Sequence, residues 1–477
     1  MTSALDEERS IFRFAMSTQD IKTQFLTELG PMNHIRRIFL GLLVLLVVIV
    51  GQTTVCGQLV TNTNSSTLVD WCNSQMDDFE SLYRDFHQHP ELSFQEKKTA
   101  ARFANELTKL GAGSVTTNVG GFGVVAVIKN GDGPTLLLRA DLDGLPVTEK
   151  TNLVYASKEK QTSESGTEVG VMHACGHDIH MTNLLGTARY LSSHRDAWSG
   201  TLVMIGQPAE ERGAGAKAML KDGLFEKFPL PDFALALHVD ASSPTGKISY
   251  LGGFQQANVD SVDITVKGRG GHGAYPHATI DPIVQAAQLV LALQTIVSRE
   301  VDPVQPAVVT VGAIHGGSKH NVIDDTCHLQ LTVRSYAPEV RKQLIAAIKR
   351  IANGVAETAN APKPNIKVTE GTPSLLNDPA LAARLLPVFK GELGDENVLE
   401  AKPSMGGEDF SRYGKAGVPI LMFRLGAVNE QRLERFKQLG QPAPSLHSPF
   451  FYPDTRDALS TGIRAMTAAS LHLLKKN

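Results

Sequence analysis

The sequence predicts an α/β protein whose mixed, mostly parallel sheet is interrupted by a small α+β domain. Three observations carry this. Short, nearly all-apolar strands alternate with helical patterns between 124 and 254, as expected for parallel strands covered on both faces. From 259 to 371 the order becomes β-α-β-β-α-β, that of a split βαβ, ferredoxin-like unit. After Pro373 the first pattern resumes. With 477 residues, two domains are expected in any case, because one core rarely grows that large.

At the N-terminus, His34, Arg36 and Arg37 precede the apolar run IFLGLLVLLVVIV (38–50), and GQTTVCGQL follows. Basic, apolar and small-residue stretches in that order read as a secretory signal, and the run is shorter than the ~20 residues a spanning helix needs. Val55 and Gly57 suit a cleavage site, giving a mature start near Gln58; Met32 is an alternative start. Residues 1–57 are therefore expected to be an extension with a signal peptide, exporting the protein to the periplasm or outside. The rival is a membrane anchor at 38–50.

Two helical patterns flank HQHPELSFQE (87–96), where Pro90 breaks the first. VVAVIK (124–129), TLLLRADLD (135–143), TLVMIG (201–206) and FALALHV (233–239) are strands, with helices from about Asp178 to Ser193 and from about Gly213. VDSVDITVKG (259–268), AVVTVGAIHGG (307–317), CHLQLTVRSY (327–336) and NIKVTEG (365–371) are the strands of the insert, and 279–299 and 338–359 its helices. Helix 378–391, strand PILMFRLG (419–426) and a closing helix 454–475 complete the first domain. The expected division is 68–254 and 374–477 for the catalytic domain, with 255–373 inserted.

Net charge −3, 42% hydrophobic and 20% charged residues exclude a strongly basic nucleic-acid binder and a long disordered chain. Cys72, Cys175 and Cys327 leave an odd count beyond the signal, so no disulfide framework is indicated. The chemistry lies in four polar interruptions: MHACGHDIH (172–180), GQPAEERGAGA (206–216), LALHVD (235–240) and PSLHSPF (444–450). Cys175, His177, Glu211, His238 and His447 offer one thiolate, three imidazoles and one carboxylate, a set suited to a borderline-soft transition metal and poor for magnesium or calcium. Strand carboxyl ends are where open α/β sheets bind ligands. Glu210 and Glu211 face opposite ways if extended, so one could ligate while the other takes a proton from the attacking water. Arg139, Asp141 and Asp143 share a strand face; Asp141 could orient a ligating imidazole, and Asp143 could do so or only form a salt bridge. GFGVVA (121–126) leads into a strand and GRGGHG (268–273) is followed by Pro276 and Pro282, so neither is a dinucleotide site.

Taken with HPELSFQE, RADLDGLP, GRGGHGAYPH, NVIDDT, GGEDFS and HSPFF, these segments resemble the amidohydrolase branch of the aminoacylase/carboxypeptidase metallopeptidase superfamily. That branch includes auxin-conjugate hydrolases, hippurate hydrolases and N-acyl-amino-acid amidohydrolases, and the resemblance spans roughly 75–475. It implies a metallopeptidase-type catalytic domain with one or two divalent ions (Zn, Mn, Ni or Co) on Cys175, His177, Glu211, His238 and His447. It implies Glu210 as general base, Asp141 as support, and His272 polarising the scissile carbonyl, often across a homodimer formed by the inserted domain. Asn321 and Arg334 match positions near the substrate carboxylate; Asp324 stands where the family usually has proline. The implied reaction is hydrolysis of an N-acyl amino acid or small peptide. The alternatives are a metallo-dipeptidase or carboxypeptidase and, in another class, a non-catalytic binding protein on the same fold.

Overall fold

The computed structural model describes residues 63–476; the 34–57 segment read as a signal or anchor lies outside them. Among the described residues, no helix is long and apolar enough to cross a membrane.

An eight-stranded sheet forms the frame. Its order is Ser114–Val119, Gly123–Asn130, Gly200–Gln207, Thr135–Asp141, Phe233–Pro244, Ile420–Val428, Ile248–Tyr250 and Val398–Glu400. The four strands from Gly200–Gln207 to Ile420–Val428 are mutually parallel. Antiparallel pairs flank them on both sides, which makes the sheet mixed. The parallel strands are those written almost wholly in apolar residues, because each must fill both faces. Leu136 and Leu138 enter one core with Leu202, Leu235 and Phe423, while Leu137 enters the other with Val203, Ile205 and Met422. The first core is closed by helices His177–Ser193 and Thr455–Leu473. Helix His177–Ser193 is buried on nearly every side and so lacks a polar stripe.

The 68–110 stretch contains three helices, Thr63–Ser74, Met76–Gln88 and Lys97–Lys109. Residues 279–299 divide into helix Pro282–Thr295 and a π-helical turn, Ile296–Glu300. The helix starts late because Asp281 caps it, accepting the Ile283 and Val284 N–H groups, with Pro282 in the first helical position.

The insert is a four-stranded antiparallel sheet ordered Ala307–Gly316, Thr326–Ser335, Asn258–Lys267, Asn365–Glu370. Val262, Ile264, Leu329, Leu331 and Val333 pack under its helices Pro282–Thr295 and Pro338–Thr358, giving the insert a core of its own. Where the chain enters and leaves it, Gly253–Gln256 and Leu375–Asn377 pair antiparallel.

Candidate metal centre and active site

The turn before helix His177–Ser193 carries Cys175. Gly176 sits at φ 79°, and a Cβ there would lie 2.5 Å from Val239 Cγ2, so glycine is required for the turn to press against the neighbouring strand. The N–H of His447, itself left-handed at φ 67°, donates to the Ala174 carbonyl (2.9 Å) and ties the 444–450 segment to that turn. Glu210 and Glu211 follow strand Gly200–Gln207, but not in extended chain. Ala209 is left-handed (φ 50°), and 210–212 form a turn. The alternation argument therefore fails here. Both carboxylates approach His177 Nε2, at 3.9 Å (Glu210) and 3.8 Å (Glu211). His238 also departs from expectation: its strand, Phe233–Pro244, runs six residues beyond it, so it projects from within the sheet.

The imidazoles are aimed by backbone. His177 Nδ1–H donates to the Asp143 carbonyl (2.7 Å) and His238 Nδ1–H to the Val239 carbonyl (2.8 Å), which fixes the tautomer and leaves each Nε2 lone pair facing inward. Cys175 Sγ lies 3.6 Å from His238 Nε2 and 3.3 Å from His447 Nε2, and the latter is 3.5 Å from Glu211 Oε2. Donor atoms of Cys175, His177 and His238 lie within 4.8 Å of one another, as do those of Cys175, Glu211 and His447. The two triads share the thiol.

This donor set fits divalent ions. His177 Nε2 and Glu211 Oε1 are buried without hydrogen-bond partners, a cost that a cation would relieve. Burial, and then neighbouring carboxylates, push the Cys175 thiol up; burial pushes Glu211 up to about 7, with His177 opposing. Glu210 is raised well above the usual carboxylate range by burial, followed by Glu408, Glu211 and Asp409. Acids stacked this closely favour a site that takes up positive charge.

Asp141 does not orient His177. Its Oδ1 accepts from His180 Nδ1 (2.7 Å), His180 Nε2 accepts the Val239 N–H (3.0 Å), and its Oδ2 takes Arg139 Nη1 at 2.6 Å. Nor does Asp143 pair with Arg139. Its carboxylate accepts the Glu210 and Glu211 N–H groups (3.1 Å each) and the Ser93 hydroxyl (2.6 Å), holding the glutamate turn in place. The fully buried Arg139 also reaches Glu408 (2.8 Å) and Asp409 (3.3 Å). Sequence reasoning assigned no role to Glu408, Asp409 or His180. The signals were there: two acids beside an apolar Phe410, and a histidine three residues after His177 on one helix.

A cleft of about 690 Å³ opens over the centre, lined by Cys175, Glu210, Glu211, His238, His447 and Arg334 among others. His272 and Asn321 do not line it. Both are exposed on a small ladder of the insert, Gly271–His272 with Val322–Ile323, where Gly273 N–H meets the Asn321 carbonyl at 2.9 Å.

Residues 137–470 match the profile of peptidase family M20/M25/M40. The chain is 40% identical over 334 residues to the N-acetyl-L-cysteine deacetylase of Bacillus subtilis (strain 168), covering 70% of this chain and 76% of that one. It is 40% identical over 338 residues to the hippurate hydrolase of Campylobacter jejuni, covering 70% and 85%. A crystal structure of a dinuclear metal-binding M20 peptidase from Bacillus subtilis superposes with a TM-score of 0.70 at 30% identity, over 84% of this chain and 99% of that one.

Proposed function

This chain belongs to peptidase family M20/M25/M40, and from that membership we propose that it hydrolyses the amide bond of N-acyl amino acids. The observation that carries this reading is the convergence of Cys175, Glu211, His238 and His447 on one cleft, with the buried His177 in a triad with Cys175 and His238 and the Glu210 carboxylate beside them. Similarity to a deacetylase and a hippurate hydrolase supports the substrate class. Bound transition-metal ions (Zn, Mn, Ni or Co) would supply Lewis acidity, polarising the scissile carbonyl and lowering the pKa of the attacking water. Glu210 takes the proton from that water and returns it to the departing amine nitrogen as the C–N bond breaks. The Asp143 carboxylate holds the two glutamate amides, and Arg139 spreads the charge of Asp141, Glu408 and Asp409. His272, absent from the cleft of its own chain, donates to the developing oxyanion from a neighbouring subunit, and Arg334 receives the substrate carboxylate. The test is a screen of purified protein against N-acyl amino acids and dipeptides, with metal analysis. Release of free amino acid from N-acyl substrates, lost on chelation and restored by metal, is the expected result. Cleavage of dipeptides alone would replace the reading with a dipeptidase.

We also propose export, resting on the basic, apolar and small-residue order of 34–57. N-terminal sequencing of protein from its host is expected to begin near Gln58. An intact chain in the membrane fraction would instead favour an anchor.

A further inference from the structure

Four arginines line the cleft; Arg212 is paired with Glu164 (2.5 Å), and the other three have no carboxylate within 4.0 Å among the described residues. Arg334 is held by the Met405 carbonyl (2.7 Å) and the Thr332 hydroxyl (3.3 Å). Arg412 donates to the Gly371 carbonyl (2.8 Å), and its Nε is buried with no partner. Arg424 donates only to the Ser404 hydroxyl (3.3 Å). The acids of the cleft are already committed. Glu370 is taken by Arg341 (3.0 Å) and Lys415 (3.6 Å), while Glu210 and Glu211 serve the centre. Neutral oxygens orient a guanidinium without neutralising it, so three half-buried positive charges remain uncompensated.

Their positions matter as much as their number. Arg424 stands in parallel register with His238 on the adjoining strand, so both side chains leave the same face of the sheet. Arg334, on the insert, and Arg424, on the catalytic sheet, hold adjacent residues of one loop, Met405 and Ser404. A substrate lying over the centre therefore meets guanidinium groups from both parts of the chain. The α-carboxylate of an N-acyl amino acid satisfies one of them and leaves two.

We propose that the substrate carries a second carboxylate, and that Arg424 and Arg412 receive it while Arg334 takes the first. This rests on the amide-hydrolase reading above. The second charge sits either on the amino-acid side chain or on the acyl group, and both present the same planar oxyanion to a guanidinium fork.

The experiment compares kcat/KM of the metal-loaded enzyme on N-acetyl-L-glutamate (second carboxylate on the amino acid), N-succinyl-L-methionine (on the acyl group) and N-acetyl-L-methionine (none). One dianionic substrate is expected to exceed N-acetyl-L-methionine by at least about tenfold, the scale of a charge-assisted hydrogen bond, and its identity locates the charge. Arg424→Met should reduce that ratio about tenfold or more, and Arg424→Lys should recover part of it. Equal rates on all three substrates in the wild type would overturn the proposal. So would an equal proportional loss on all three in both Arg424→Met and Arg412→Met, since a merely structural arginine cannot tell the substrates apart. If no amide is cleaved, the hydrolase reading fails by itself. Calorimetric binding of N-acetyl-L-glutamate against N-acetyl-L-methionine, in wild type and Arg424→Met, then decides the charge preference: equal affinities reject it, and a preference lost in the variant upholds it.

Discussion

Glu210 and Glu211 leave the chain side by side at a turn whose preceding residue, Ala209, is left-handed. Non-glycine residues in that region cost on the order of 1–3 kcal/mol and persist only where the surroundings over-determine them. Here they do: the Ala209 N–H is taken by the buried Glu96 (2.8 Å), and the next two amides by Asp143. The strain is the means by which two neighbouring carboxylates reach one imidazole nitrogen. Glu210 stands outside the two triads that share Cys175, although its carboxylate also gathers with His177 and Glu211, and its role as base follows from the family reading proposed above. Glu210→Gln is therefore expected to retain metal while kcat falls at least ~10²-fold, the usual scale for a positioned acid–base group. Metal content and steady-state rates check this, and near-normal turnover would remove Glu210 from the chemistry. Cys175 belongs to both triads and is the soft donor of the set. Cys175→Ser is expected to lose metal faster than wild type in dialysis against a mild chelator; equal retention would show that the thiol is not a ligand.

Helices Met76–Gln88 and His177–Ser193 are joined by a buried charge pair with a defined pH signature. His87 donates from Nδ1 to Asp178 (2.7 Å) and from Nε2 to Glu149 (3.2 Å). Burial alone would lower its pKa, but the two carboxylates outweigh burial and hold it at about 9. A folded pKa above the unfolded value of about 6.5 means that the fold stabilises the protonated ring. That contribution is complete below about 6.5 and disappears as pH rises through about 9, on the order of 3 kcal/mol in all. Denaturant unfolding at pH 6.5 and 9.5 should show this loss in wild type and not in His87→Gln; equal slopes in both would place the charge elsewhere. Effects of pH on the metal centre are common to both proteins and cancel in the comparison. The same elements show what sequence could reveal. Strands Gly200–Gln207, Phe233–Pro244 and Ile420–Val428 were legible because they are apolar on both faces. Ser114–Val119, Ile248–Tyr250 and Val398–Glu400 were not, being polar or only three residues long and defined by their partners. In the site, residue types and clustering were legible. The aim of His177 and His238 was not, because it depends on backbone carbonyls, which leave no mark in side-chain identity. Two partners of Arg139, Glu408 and Asp409, were hidden because they stand 269 and 270 positions further along the chain.

At the scale of the molecule, the inserted sheet leaves features that a single chain does not use. Ala307–Gly316 is an edge strand, with Ile314 49% exposed, and the adjacent helix exposes Leu291 (73%) and Val284 (55%). A free edge beside apolar helical residues suits two-fold pairing with a second copy. His272 is exposed on this insert, and its ring bonds within its own turn, Nδ1 accepting the Ala274 N–H at 3.0 Å. A histidine that polarises the scissile carbonyl must come within hydrogen-bond reach of the substrate, which leaves closure of its own domain or delivery by a partner. His272→Ala is expected to lower turnover on the order of 10²–10³-fold, as for a lost oxyanion donor, with metal content unchanged. Mixing distinguishes the two routes. A heterodimer of His272→Ala and Glu210→Gln chains contains one centre with Glu210 intact and, if the histidine crosses the interface, an intact His272 facing it. With random exchange, half the dimers are mixed and one of their two centres works, so activity should return to about a quarter of the wild-type value. If each chain uses its own His272, no mixture regains activity. A fully active His272→Ala enzyme would reduce the residue to a turn former and remove the insert from the chemistry.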